Sequence, residues 1–217
     1  MGNTSTENYL SEIFKLEQSA IKVKTNLLAK KMGISDAAVT DMLKKLSVNG
    51  LILYERYKNI ELTKKGRKYA SVIVRRHRIW EIFLYQIVGL PWDKVHDEAH
   101  RLEHSSSDEL VDKLEEILNF PEFDPHGDPI PGKDGKVPKH KGYLPLSKLG
   151  KGKSAKVVRV NDFDPKFLIY LRKIGIELDQ KIEVVDVLEF DNSLEIKINS
   201  KNYNVSRMVA ENIFIGD

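Results

Sequence analysis

Four histidines and two glutamates recur at helical intervals between residues 77 and 104: His77-x3-Glu81, then His96-x3-His100-x2-Glu103-His104. Residues three and four apart on an α-helix leave the same face. The segment therefore has to fold as two successive helices that present nitrogen and oxygen donors together. Imidazole and carboxylate without sulfur suit Mn²⁺, Fe²⁺, Co²⁺ or Zn²⁺. Histidines on amphipathic helices are ordinarily surface or core residues, but six candidate ligands on consecutive helices favour a metal site over that alternative. The chain has no cysteine, which excludes disulfides, thiolate ligands and cysteine nucleophiles and fits a reducing, cytoplasmic setting.

One lookalike is rejected on geometry. His96-Asp97-Glu98-Ala99-His100 is similar to the zinc-protease pattern H-E-x-x-H, but its glutamate is third rather than second. That turns it about 100° round the helix from the position of a general base. A hydrolase would also need an open coordination position beside such a base, and nothing in the sequence places Asp97 or Glu98 there.

The net charge of +3 hides an asymmetry. Residues 1–73 hold 13 Lys/Arg against 7 Asp/Glu, whereas residues 74–147 hold 10 against 14 and residues 148–217 hold 12 against 11. A basic first third is what a phosphate-binding surface requires. Within it, Leu10, Ile13, Phe14 and Leu16 form a stripe on a helix predicted over 5–18, and TNLLAKKM (25–32) reads as a short second helix stopped by Gly33. Ser35 is a good N-cap for a third helix over 35–48, stopped by Asn49-Gly50. LILYERYKNIELT then reads as two strand-like runs around a charged turn. Helix, turn, helix and hairpin is the order of a winged helix-turn-helix. On the third helix Ser35, Ala37, Ala38 and Thr40 are small enough to approach base edges, and Lys44, Arg56 and Lys58 are candidates for phosphate contacts. Winged helices also serve in protein contact, and the histidines could be structural in a metal-independent DNA-binding protein.

Amphipathic helices are predicted over 64–88, 92–104 and 108–119. Their apolar faces, including Ile79, Ile82, Phe83, Ile87, Leu110, Leu114, Ile117 and Leu118, exceed what so short a region can bury alone, so a homodimer interface is expected. Residues 120–153 are rich in Pro, Gly and Lys and read as an irregular connection in which His126 and His140 are ordinary loop residues. The remainder is strand-rich with one helix near 165–174, which suggests a small SH3-like barrel. The expected organisation is α+β: a winged helix-turn-helix (1–73), an all-helical metal-binding and dimerisation domain (74–147) and an SH3-like domain (148–217). Neither a membrane span nor a secretory signal is expected.

At VRRHRIWEIFLYQIVGLPWDKVHDEAHRLEHSSSDEL (74–110), followed by DPHGDPIPG (124–132), the chain resembles the diphtheria toxin repressor family of iron- and manganese-dependent regulators. The resemblance extends over essentially the whole chain. It implies that His77, Glu81 and His96 form an ancillary metal site, that His100, Glu103 and His104 form a primary site, and that Asn8 stands where the family places an N-terminal ligand. It also implies a ligand from the SH3-like domain, for which Asp164 is the candidate. Two departures bear on metal choice: position 8 is often Met or Asp in the family and position 100 usually Cys or Glu, whereas this chain has Asn8 and His100. The implied function is a homodimeric repressor of metal-uptake genes. Mn²⁺ or Fe²⁺ would activate it on a palindromic double-stranded DNA operator, with Zn²⁺ and Co²⁺ binding in vitro.

Overall fold

The computed structural model describes residues 4–56, 58–139 and 142–216; His140 lies outside the described residues. The chain divides into two compact units, one of residues 1–77, 100–111 and 131–137, the other of residues 78–99, 112–130 and 138–217.

In the first unit α1 (Thr4–Gln18) buries Tyr9, Leu10, Ile13, Phe14 and Leu16, the stripe expected from the sequence. Helix α2 (Thr25–Met32) ends at Gly33, whose φ of 67° is left-handed backbone that costs glycine little. The turn delivers Ser35 to the N-cap of α3 (Asp36–Val48), where its side chain accepts from the Ala38 N–H at 3.3 Å. Val39, Leu43 and Leu46 of α3 then close the core with α1 and α2. The hairpin is smaller than the sequence suggested: β1 (Ile52–Leu53) and β2 (Glu61–Leu62) pair over two residues each. A side chain fixes its base, because Glu17 on α1 accepts from the Leu62 N–H at 2.9 Å and meets Arg67 at 2.7 Å. Arg67 lies on α4 (Lys64–Gln86), the long helix that follows.

In the second unit Pro91 to Lys94 form a turn, with the Lys94 N–H on the Pro91 carbonyl, so α5 (Val95–Glu103) starts three residues later than predicted. The part of α6 (Asp108–Ile117) beyond Val111 belongs here too. An antiparallel six-stranded sheet follows, in the order β3-β8-β4-β5-β6-β7. It is built from β3 (Leu144–Pro145), β4 (Ser154–Val160), β5 (Lys181–Val187), β6 (Leu194–Ile198), β7 (Lys201–Val205) and β8 (Ile213–Gly216). Its inward residues alternate along the strands, as Leu194, Ile196 and Ile198 do on β6, and pack on Leu168 and Leu171 of α7 (Pro165–Ile174). A short helix, α8 (Arg207–Ala210), precedes β8. The short β3 and α8 carry too few residues for a periodic signal and were not expected. Ile79 and Ile82 are buried, whereas Tyr85, Ile87, Val88, Ile117 and Phe120 remain exposed apolar residues of this unit. Among the described residues no helix is long and apolar enough to cross a membrane.

Candidate metal centre

The first unit gathers one set of donors. Glu103, at the end of α5 and almost fully buried, accepts from His77 Nδ1 at 2.5 Å on one oxygen and from His100 Nδ1 at 2.9 Å on the other. Burial pushes the Glu103 carboxyl up. The hydrogen bond and charge of His77, with the charges of His100 and His104, more than reverse this, and the group sits below its ordinary range. His104 turns its Nδ1 onto Glu7 of α1 at 2.6 Å, and Tyr69 donates to the other Glu7 oxygen at 3.0 Å. That leaves His104 Nε2 without a hydrogen-bond partner, facing Glu103 Oε1 at 3.1 Å. Beside Glu7, the Asn8 Oδ1 is buried and also unpartnered. Two orphaned acceptors next to a buried carboxylate are unfavourable in themselves and suit a cation. Nitrogen and oxygen donors without sulfur suit a divalent one of the first transition row.

The second unit gathers another set. Glu81 of α4, almost fully buried, lies 3.1 Å from His96 Nδ1 of α5, and Asp162, just after β4, lies 3.9 Å from the same nitrogen. Ligand atoms of Glu81, Asp162 and His126 lie within 4.8 Å of one another. His126 is therefore not the ordinary loop residue expected: it is fully buried, with Nε2 on the Trp92 carbonyl at 2.9 Å and Nδ1 unpartnered. Burial pushes its pKa down, and the carboxylates of Glu81, Asp124 and Asp162 override that and raise it. The loop around it is fastened on both sides. Asp124 Oδ1 accepts the N–H groups of His126 at 2.8 Å and Asp128 at 2.9 Å, while its other oxygen lies 3.4 Å from Arg78 Nε. Burial, with the negative charges of Asp128 and Glu81, pushes the Asp124 carboxyl up to about 7. Asp128 in turn accepts from Arg159 of β4 at 2.6 Å, and that guanidinium lies over the Phe214 ring at 4.8 Å.

The structure thus brings His77, His100, Glu103 and His104 into one set, and Glu81 and His96 into another, with Asn8 next in the chain to Glu7, the carboxylate that holds His104. His77 has its Nδ1 on Glu103. Asp164 is occupied elsewhere, since its side chain caps α7 through the Lys166 N–H at 2.8 Å; Asp162 faces His96 in its place. Glu7, His126 and Asp162 were not picked out from the sequence. The Asp164-Pro165 pair was a readable signal, because Pro at the first helical position marks the residue before it as the cap.

On the basic face, Ala37 and Ala38 are exposed on the first turn of α3. Ser35 serves as the cap, and Thr40 donates its hydroxyl to the Asp36 carbonyl at 2.8 Å. Ser35 Oγ accepts from the backbone and Thr40 donates to it, and between them the Ala37 and Ala38 methyls are exposed. Lys44 pairs with Asp41 at 3.4 Å and Lys58 with Glu55 at 2.5 Å, both pairs exposed. Such pairs contribute little and leave the ammonium groups available to phosphate. Arg56 lies in the same loop between the strands.

Models of known families match three stretches: the N-terminal DNA-binding domain of iron-dependent repressors (residues 1–60), their metal-binding and dimerisation domain (63–132) and the FeoA domain (144–216). The diphtheria toxin repressor of Corynebacterium glutamicum is 31% identical over 192 residues, covering 84% of either chain. The chain belongs to the diphtheria toxin repressor family. The iron-dependent repressor IdeR of Mycobacterium tuberculosis is 36% identical over 128 residues, a match that spans 59% of this chain and 56% of that one. Among solved structures, a manganese-dependent transcriptional repressor in complex with manganese is 37% identical with a TM-score of 0.89, covering 97% of this chain and 98% of that one. The manganese regulator SloR is 31% identical with a TM-score of 0.80, covering 97% of each chain. The family is one of metal-dependent transcriptional repressors, not enzymes, and its fold is the α+β arrangement described above, with an SH3-like C-terminal part.

Proposed function

We propose that the chain is a homodimeric, metal-dependent DNA-binding repressor that responds to Mn²⁺ or Fe²⁺. The observation that carries this is the buried, unpartnered Asn8 Oδ1. It belongs to α1 of the DNA-binding fold, next in the chain to Glu7, whose carboxylate holds His104 at 2.6 Å. The bound ion would supply an electrophilic tie between donors that are far apart in sequence. Asn8 and Glu7 connect α1 to that tie, Glu103 and His104 supply buried donors from the end of α5, and His77 holds the Glu103 carboxylate. Glu81, His96, His126 and Asp162 form the second set, with Asp162 in the role first given to Asp164. Metal favours one arrangement of the reading helix, so by linkage DNA must tighten metal binding equally.

The α3 helix reads the major groove through Ala37, Ala38 and the Thr40 methyl, with Ser35 fixing its start, and Lys44, Arg56 and Lys58 take phosphates. Two-fold symmetry of the dimer calls for a palindromic operator with half-sites about 34 Å apart. The exposed Tyr85, Ile87, Val88, Ile117 and Phe120 support dimerisation through the helical region. We assign residues 1–73, 74–147 and 148–217 to DNA binding, to metal binding with dimerisation, and to the SH3-like part, in a cytoplasmic protein.

The test is a fluorescence-anisotropy titration onto the chain's own upstream DNA at fixed salt, with chelator and then with Mn²⁺, Fe²⁺ under anaerobic conditions, and Zn²⁺. A gain in affinity of about tenfold or more, equivalent to about 1.4 kcal/mol of coupling, is expected with Mn²⁺ or Fe²⁺. Tight binding indifferent to metal would overturn the proposal. So would a His104→Ala variant that kept full metal dependence, as far as the first set is concerned.

A further inference from the structure

We infer that Trp92 is a positioning residue of the second donor set and selects the nitrogen that His126 offers to a metal. The inference rests on the reading of Glu81, His126 and Asp162 as a metal site. A carbonyl oxygen only accepts, so the 2.9 Å contact from His126 Nε2 to the Trp92 carbonyl puts a proton on Nε2. A neutral imidazole has one N–H, and Nδ1 therefore carries the lone pair. Nδ1 is the buried nitrogen without a hydrogen-bond partner, and with Nε2 committed it is the atom free to join Glu81 and Asp162.

The carbonyl can select the tautomer only if it is held still, and the Trp92 side chain does that. The indole is almost fully buried in the core that contains Leu146, Leu168 and Leu171. Its ring stacks on the His126 ring at 5.9 Å between centroids and 28° between planes. The next residue, Asp93, is buried and lies 3.3 Å from Arg172 of α7, and the Lys94 N–H closes the turn on Pro91 at 2.9 Å. Any residue at position 92 keeps the carbonyl, but only a large flat side chain both fills the core and fixes the plane of the imidazole. Groups that orient a metal-ligating histidine through its second nitrogen typically change metal affinity by about 10–100-fold when lost.

The experiment uses full-length, metal-free protein at a pH where His126 is neutral. Long-range ¹H–¹⁵N NMR should show His126 with a proton-bearing Nε2 and a bare Nδ1; the opposite tautomer, or an averaged mixture, overturns the inference without recourse to any variant. Co²⁺ titration followed by ligand-field absorption then compares wild type with Trp92→Leu, Trp92→Phe and His126→Ala. Trp92→Leu should weaken the His126-dependent binding phase by about 10–100-fold and mix the tautomers, and Trp92→Phe should restore most of both. If His126→Ala leaves every binding phase intact, the metal-site reading itself fails. If His126→Ala removes a phase while Trp92→Leu, folded by circular dichroism, changes neither affinity nor tautomer, the metal site stands and the positioning role falls.

Discussion

Asn8→Leu should make the metal-free protein more stable and the metal-loaded protein less responsive. The Asn8 Oδ1 is buried with no hydrogen-bond partner, and an unmet buried acceptor costs about 1–3 kcal/mol. Leucine branches at the same carbon and carries no acceptor, so unfolding in chelator should become harder by about 1–3 kcal/mol, or roughly 2–12 °C in Tm for a chain of this size. Metal acts in the opposite sense. At free Mn²⁺ of about 100 times Kd, binding stabilises the native state by about 2.7 kcal/mol, and a tenfold loss of affinity at the same concentration reduces that to about 1.4 kcal/mol. The gap between the melting curves with chelator and with Mn²⁺ should therefore narrow from about 2.7 to about 1.4 kcal/mol, chiefly because the chelator curve moves up. Scanning calorimetry at fixed protein concentration and salt measures both. The reasoning is refuted if the variant loses stability in chelator while its Mn²⁺-induced gain stays at the wild-type value, since Asn8 would then be an ordinary structural residue.

Four further outcomes follow from the same structure. Ser35→Ala removes the cap of α3 and should cost about 1 kcal/mol of stability, read in urea melts, while weakening DNA binding; unchanged melts would show that the cap contributes nothing. Arg159→Met leaves Asp128, on the loop that carries His126, with the longer 3.8 Å contact to Arg78, and losing this part-buried, charge-assisted hydrogen bond should destabilise by about 1–3 kcal/mol, visible as an earlier urea midpoint. Gly127 has a φ of 88°, and a methyl there would meet the Val158 carbonyl; Gly127→Ala should displace that loop and weaken Co²⁺ binding at the second set, which wild-type affinity would contradict. DNA affinity should fall with salt at a slope of about −0.9 per neutralised phosphate. Lys44→Ala, which removes one lysine from each protomer of the dimer, should flatten that slope by about 1.8 units, and an unaltered slope would remove Lys44 from the interface.

What could be read from the sequence was what is local. The α1 stripe, the Gly33 stop, the Ser35 cap and the four-residue spacings of His77, Glu81, His96 and His100 all act within one or two helical turns, and each helix formed where its signal lay. Glu7 was out of reach because its partner His104 is 97 residues away, and because a glutamate in a first helical turn has an ordinary explanation in the helix dipole. His126 was discounted because Pro and Gly on either side describe a connection. What that description leaves out is a loop held by Arg78 from one side and by Arg159, about thirty residues later, from the other. The FeoA-matching region shows the same limit: the long strands β4 and β5 were legible, whereas β3 and α8 exist only because the sheet and its core offer them partners.

The absence of sulfur from both donor sets has a consequence for stress. Imidazole, carboxylate and amide groups do not climb the thiol oxidation ladder and form no disulfide. Peroxide therefore has no cysteine in this chain through which to release the DNA. Oxidation at the donor sets therefore has to pass through the ion itself: a redox-active occupant such as Fe²⁺ would make the metal centre peroxide-sensitive, and Mn²⁺ would not.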